Sequence, residues 1–233
     1  MGTREIGFTG GEPFMNRDMI GMMRSALGRG FEVLVLTNAM RPMRRFEDQL
    51  KAIVLEHGDR LTMRVSLDHY TEAVHEAERG PRSWDKAVDG LKWLSDHGFR
   101  VAVAGRRLAG ESEAEARMGY KRLFAGLGVW IEAADPGRLV LFPEMDASAD
   151  VPEISEACWG ILGLSPGAMM CASSRMIVKR KGAERPVVAA CTLLPYDDQF
   201  AMGETLKGSR TKVMLNHPHC ARFCVLGGAS CSA

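Results

Sequence analysis

The sequence predicts an α/β chain: a parallel sheet wound from strand–helix units, then a small cysteine-rich α+β tail with a β-hairpin. Three observations predict it. Apolar runs of strand length alternate with stretches of helical periodicity over the first 142 residues. One of those strands carries a wholly polar alternate face. All six cysteines lie at or beyond Cys158.

The elements follow in order. Residues 5–9 form a short strand ending in Gly10-Gly11. Asn16 is expected to cap a helix whose inward face is Met19, Ile20, Met23, Ala26 and Leu27, closed by Gly30. Val33-Leu34-Val35-Leu36 reads as a strand covered on both faces. Phe46, Leu50, Ile53 and Val54 mark a helix closed by Gly58, and residues 61–68 form the next strand. Ser83 is expected to cap a helix with Trp84, Val88, Leu91 and Leu94 inward, ended by Gly98. Residues 100–105 are a further strand. Ser112 and Glu115 form a capping box before a helix carrying Met118, Leu123 and Leu127. Residues 138–142 make a last strand, with Val129-Trp130-Ile131 as another candidate.

Repeated strand–helix units build a parallel sheet, either doubly wound or barrel-like. The strand at 61–68 chooses between them: Leu61, Met63, Val65 and Leu67 alternate with Thr62, Arg64, Ser66 and Asp68. A small closed barrel fills its interior with branched apolar side chains, so a polar inner face predicts a partial barrel whose lumen is a binding cleft. Ligands of parallel α/β folds sit at the carboxyl ends of the strands. Those ends read Gly10-Gly11-Glu12-Pro13, Thr37-Asn38-Ala39, Ser66-Leu67-Asp68, Arg106-Arg107 and Pro143-Glu144.

Composition narrows the partners. Thirty Lys+Arg against twenty-nine Asp+Glu give a net charge of +1, so no global field draws the chain to nucleic acid or an anionic membrane. No run of about 18 apolar residues exists to span a bilayer. No secretory h-region opens the sequence, so a cytoplasmic setting is expected, where cysteines serve as metal or redox groups. Asp146-Ala147-Ser148-Ala149-Asp150-Val151-Pro152 reads as a boundary, giving units 1–148 and 149–233.

Gly7-Phe8-Thr9-Gly10-Gly11-Glu12-Pro13 resembles the segment that ends the second strand of radical S-adenosylmethionine (radical SAM) enzymes. Val35-Leu36-Thr37-Asn38-Ala39 resembles their third strand. Val65-Ser66-Leu67-Asp68, followed by His75, Arg79-Gly80 and Trp84, resembles the fourth strand and the helix after it. The likeness runs over roughly residues 4 to 145. It implies a partial (β/α) parallel barrel of the radical SAM type, with S-adenosylmethionine as cofactor. By resemblance Gly10, Gly11, Glu12 and Pro13 hold the methionine end, Asn38, Ser66 and Asp68 the polar middle, and Leu141 the adenine region. The family's Cys-x3-Cys-x2-Cys loop, which follows a first strand and holds the radical-generating cluster, does not occur in this sequence. The sequence begins at what would be the second strand. An omitted upstream segment is the expected reason, a degenerate member the alternative, and this chain alone is not expected to cleave the cofactor.

In the tail, residues 174–178 and 186–190 read as a hairpin around Lys181-Gly182-Ala183-Glu184, with Cys171 before it and Cys191 at its end. Cys220, Cys224 and Cys231 follow in a Gly-rich stretch, and Cys158 precedes the group. Thiolates separated by turns suit an iron–sulfur cluster. The arrangement is similar to the SPASM or twitch modules of radical enzymes, which implies an auxiliary 4Fe-4S cluster held by four of the six cysteines. The spacing Cys220-x3-Cys224-x6-Cys231 departs from the fuller SPASM pattern. His217 or His219 is a further ligand candidate, structural zinc is the alternative, and Cys158 beside Trp159 also reads as a buried thiol. The resemblance implies an oxidoreductase acting on a small molecule or peptide, served by an external electron donor. The reading of a different class is a non-catalytic or electron-transfer iron–sulfur protein.

Overall fold

The computed structural model describes residues 2–144, 148 and 150–227. The chain divides into two compact units, 2–144 and the residues from 145 onward. Part of the boundary segment read from the sequence, 146, 147 and 149, lies outside the described residues, as does Cys231.

The first unit is a sheet of five parallel strands in chain order: β1 (Glu5–Phe8), β2 (Glu32–Thr37), β3 (Leu61–Ser66), β4 (Arg100–Arg107) and β5 (Leu139–Pro143). A doubly wound sheet reverses its order partway. This one does not, so it is a half-barrel. The crossovers carry α1 (Met19–Gly28), α2 (Arg41–Arg44), α3 (Glu47–His57), α4 (Glu72–Arg79), α5 (Trp84–Asp96) and α6 (Glu113–Leu127).

Register separates the two faces. Val35, Met63, Val103 and Leu139 belong to the main apolar core with the helix residues Met23, Leu50, Leu91 and Phe124. On the opposite, inner face stand Thr62, Arg64 and Ser66 of β3, beside Leu34, Ala102 and Val140, which are buried but lie outside that core. Arg64 is 2% exposed, so a guanidinium sits on the inner wall. Burial pushes the Glu5 carboxyl above the usual carboxylate range, and the charge of Arg64 opposes that rise. The polar alternate face expected from the sequence is therefore the lumen wall.

Most element ends follow local chemistry. Ser112 and Glu115 make the expected reciprocal capping box, and Gly128 closes α6 at φ +69°. Asn16 does not cap α1: Asp18 holds that position, and Asn16 Oδ1 accepts the Asp18 amide at 3.0 Å. Ser83 precedes α5 but donates to the Gly80 carbonyl at 2.7 Å instead of capping. Met118 is half-exposed, because α6 buries Ala116, Gly119, Tyr120 and Phe124. Val129-Trp130-Ile131 is not a strand, and Trp130 faces solvent.

The second unit carries α7 (Ala157–Leu162), α8 (Met170–Ser173), and the antiparallel hairpin β6 (Met176–Val178) with β7 (Val187–Ala189). Residues 200–203 run alongside β7, through Ala190 N to Phe200 O at 2.9 Å and Met202 N to Val188 O at 2.8 Å. A π-helical turn, Cys220–Val225, ends the described tail. Among the described residues no helix is long and apolar enough to cross a membrane.

Candidate functional site

The carboxyl end of β1 opens into a turn that only glycine suits. Gly10 has φ +141°, and a Cβ at Gly10 or Gly11 would meet no atom within 4 Å, so the backbone there is bare. Glu12 fastens this turn to β2. Its Oε1 accepts the Thr37 hydroxyl at 2.9 Å and the Phe14 amide at 3.2 Å, while Oε2 accepts the Asn38 amide at 2.8 Å. Pro13 is buried at the head of the one-turn helix Pro13–Met15. Both carboxylate oxygens are thus engaged within the fold, and Glu12 acts as a strut. A cleft of about 200 Å³ adjoins the turn on its α1 side, between Phe8, Pro13, Met19 and Met22.

Asn38 turns its own side chain back to the Met40 amide at 2.9 Å. Next to it Ala39 adopts φ +57°, a strained conformation for alanine, with its carbonyl against Gly90 of α5, where a Cβ would lie 1.9 Å from that oxygen.

Farther along the inner face, Ser66 pairs in register with Ala104, and Ala104 with Val140. Ser66 and Ala104 are half-buried. This row is small and shallow. Above it Arg106 pairs with Phe142 and donates its amide to the Asp68 carbonyl at 2.7 Å.

Asp68 sits in a charge network. Arg79 of α4 grips its carboxylate with Nε and, at 3.2 Å, with Nη2. Arg106 Nε lies 3.7 Å from Oδ1, and Arg106 Nη1 reaches Glu78 at 2.8 Å. The Arg106 side chain is 45% exposed, which leaves it facing outward as a cation between two carboxylates. Beneath, fully buried His75 accepts the Asp68 amide on Nδ1 at 3.2 Å, and its ring meets Trp84 edge-on. Burial pushes the His75 pKa down, against the pull of Asp68. Tyr120 donates to the Leu67 carbonyl at 2.7 Å, so Leu67 and Asp68 are held by an α6 phenol and an α4 imidazole.

A neighbouring cluster joins the loops after β3 and β4. Tyr70 donates to Glu111 at 2.7 Å, stacks on His69, and fits the notch left by Gly119. The hydrogen bond to Glu111 raises the Tyr70 pKa, and burial lowers that of His69.

The structure thus gathers Gly10, Gly11, Glu12, Pro13 and Asn38 at the ends of β1 and β2, and Ser66 and Asp68 at the end of β3. Leu141 is placed otherwise. It pairs with Gly105, whose Cβ position would meet Tyr120 of α6, so its side chain belongs to the helix-facing core. On β5 the inner positions are Val140 and Phe142. Arg106, Phe142 and His75 are the residues that the sequence marks weakly. Arg106 reads there only as a polar strand end; its pairing with Asp68 is a long-range contact.

In the tail, Thr192 donates to Met170 Sδ at 3.0 Å, which ties the neighbours of Cys191 and Cys171 together. Cys191 packs on the cluster that contains Cys220, Ala190 and Phe200. Burial raises all three thiols; Cys191 acts electrostatically on Cys171, and both act on Cys220. The Leu193 and Leu194 amides point at the Cys191 sulfur and favour its thiolate. Cys224 lies on the same turn as Cys220. Cys158 does not join them: its sulfur accepts the Ser155 amide at 3.4 Å and faces the Glu153 carbonyl at 3.9 Å, within its own turn. Cys158, Cys171, Cys191 and Cys220 are free thiols. Among the described residues, no three His, Cys, Asp or Glu side chains close around a single metal ion.

A half-barrel of parallel strands with a bare glycine turn and a charged rim at its carboxyl ends defines an α/β-barrel ligand-binding domain. The model of the Radical SAM superfamily matches residues 1–117, half of the chain, and the chain belongs to that family. Solved structures resemble it more distantly. Streptococcus suis SuiB is 13% identical, over 66% of this chain and 33% of that one, with a TM-score of 0.48. SuiB bound to S-adenosylmethionine is 12% identical over the same shares, with a TM-score of 0.45. Archaeal TYW1 is 14% identical over 76% of this chain and 52% of that one, with a TM-score of 0.41. The chain therefore spans about a third of SuiB and about half of archaeal TYW1. No curated protein matches it.

Proposed function

We propose that this chain is the cofactor-binding half-barrel and auxiliary-cluster portion of a radical SAM oxidoreductase. The observation that carries the reading is the rim at the strand ends, where the Gly10-Gly11 turn after β1, the Ser66–Ala104–Val140 row across β3, β4 and β5, and Arg106 of β4 belong to one sheet. Open backbone at Gly10 and Gly11 suits the ammonium of a methionine moiety, and the half-exposed guanidinium of Arg106 suits its carboxylate. Ser66 offers a hydroxyl to a ribose, and Val140 with Phe142 offers an apolar inner wall to an adenine. The cleft beside α1 is smaller than the roughly 300–1,000 Å³ of a typical ligand pocket, so the cofactor is assigned to the inner face.

When bound, S-adenosylmethionine would supply, on one-electron reduction and loss of methionine, the radical chemistry that takes hydrogen from a substrate. The chain's own residues bind and orient. Glu12 holds the turn against β2, and His75, Tyr120 and Arg79 hold Asp68 and with it Arg106. An auxiliary 4Fe-4S cluster is assigned to the tail through Cys171, Cys191 and Cys220, with Cys224 or Cys231 as the fourth thiolate. The packing of Cys191 against Cys220 and the Thr192–Met170 hydrogen bond beside Cys171 support that assignment. The substrate, a small molecule or peptide, an external electron donor and a cytoplasmic setting complete the proposal.

The test uses the full chain prepared without oxygen. Saturable binding of S-adenosylmethionine, not competed by ATP, together with iron and sulfide lost on Cys191→Ala but kept on Cys158→Ala, is expected. Stoichiometric zinc without sulfide would overturn the cluster assignment, and binding that ATP abolishes would overturn the barrel assignment.

A further inference from the structure

Gly90 is a buried glycine in the middle of α5, where alanine would favour the helix more. Ala39, on the loop after β2, is a fully buried alanine in the left-handed region, where glycine would fit better. The two exceptions meet. A Cβ on Gly90 would lie 1.9 Å from the Ala39 carbonyl oxygen and 2.8 Å from the Ala39 Cβ, so the loop lies flat on the helix only because residue 90 has no side chain. From that contact a chain of hydrogen bonds runs to the rim. The Ala39 amide donates to Thr37 Oγ1 at 3.1 Å, and the same hydroxyl donates to Glu12 Oε1 at 2.9 Å. The Asn38 amide donates to Glu12 Oε2 at 2.8 Å, and Asn38 Oδ1 closes the loop on the Met40 amide at 2.9 Å. Thr37 is buried, so water does not compete for this relay.

We infer that Gly90 is a positioning residue of the cofactor turn. By admitting the Ala39 carbonyl and methyl into the surface of α5, it holds the loop after β2 in one conformation. Through Thr37, Asn38 and Glu12 that loop sets the Gly10-Gly11 turn. The inference rests on the reading above that this turn receives S-adenosylmethionine. A strained backbone persists only where surrounding contacts over-determine it. At Ala39 the contact with α5 supplies one side of that restraint, and the two Glu12 oxygens supply the other. A turn already held needs little further ordering when a ligand arrives, so a residue can strengthen affinity without touching the ligand.

The experiment uses the full chain, with Ala39→Gly as the first variant. Glycine accepts the left-handed backbone but removes the methyl pressed on α5, so the fold is kept while the loop gains freedom. Hydrogen–deuterium exchange is expected to speed up in residues 8–15 and to stay unchanged in β3. S-adenosylmethionine, titrated calorimetrically, is expected to bind about two- to fivefold more weakly, the worth of a glycine's added freedom. In a Glu12→Gln background, where the link is already cut, Ala39→Gly is expected to cause no further loss of affinity. Gly90→Ala pushes the loop off α5 and is expected to act in the same direction more strongly. Should that variant not fold, Ala39→Gly, which loosens the same contact from the loop side, decides alone. Unchanged exchange in residues 8–15, unchanged affinity, or a loss that adds in full to that of Glu12→Gln overturns the inference. A wild-type chain that does not bind S-adenosylmethionine overturns the cofactor reading instead, and the exchange measurement still decides whether the contact with Gly90 sets the turn.

Discussion

Glu12 and Asn38 are joined across the mouth of the sheet, carboxylate to backbone amide at 2.8 Å, while the other Glu12 oxygen takes Thr37 and Phe14. An acidic residue beside two glycines reads from the sequence as a ligand for an amine. The fold uses it to hold the turn in which those glycines lie.

Glu12→Gln places an amide NH2 against one of three donors, so it should cost about 1–2 kcal/mol of stability. Cofactor affinity should fall with it. Urea unfolding alongside a calorimetric titration checks this. An affinity loss with unchanged stability would show direct contact with the ligand instead.

Arg106 should behave oppositely. Arg106→Gln removes a half-exposed charge; because Arg79 still pairs Asp68, it should change stability by no more than about 1 kcal/mol, while S-adenosylmethionine binds about tenfold more weakly, near the lower end for a charge-assisted bond. Unaltered binding in this variant would remove Arg106 from the site.

His75 makes stability depend on pH. Its pKa in the folded chain lies below the ordinary value near 6.5, because burial disfavours the imidazolium. The unfolded chain therefore binds the proton more readily. Stability is complete above about pH 6.5 and declines as the pH falls through the lower folded value. His69, shifted the same way, adds to the slope. Unfolding midpoints measured from pH 7.5 to 5 should fall, and His75→Gln should flatten part of that fall. An unchanged slope in the variant would contradict the assignment.

Much of the half-barrel was legible locally. The strands of 61–66 and 33–36, the apolar face of α1 and the capping box of α6 follow from periodicity and cap chemistry alone. The hairpin and the cysteines that bracket it were legible too. What escaped depends on contacts between distant residues. Leu141 looks like any apolar strand residue until its register with Gly105 assigns it to the helix side. Asn16 and Ser83 are good caps by composition, yet tertiary geometry sends their oxygens elsewhere. α4 buries only His75, itself a polar residue, so its pattern carries little signal. That Cys158 stands apart from Cys171 and Cys191 was invisible in spacing.

Gly105 exists for Tyr120. A Cβ at Gly105 would lie 2.0 Å from the phenol oxygen, which bonds Leu67 just before Asp68. Gly105→Ala should destabilise the unit by about 2–3 kcal/mol, as overpacking does. Adding Tyr120→Phe should cost less than the sum of the two single changes, because they relieve one clash. Additive losses in a double-mutant cycle would refute the contact.

The most direct test of the cofactor assignment is a titration of S-adenosylmethionine into Ala104→Phe. Ala104 is half-buried on the inner face between Ser66 and Val140, away from the helix-facing core. A phenyl ring there fills the row where the ribose and adenine are assigned. The expected result is binding weakened about thirtyfold or more, roughly 2 kcal/mol, with the unfolding midpoint little changed. Wild-type affinity in a folded Ala104→Phe chain would place the cofactor elsewhere and contradict the inner-face site.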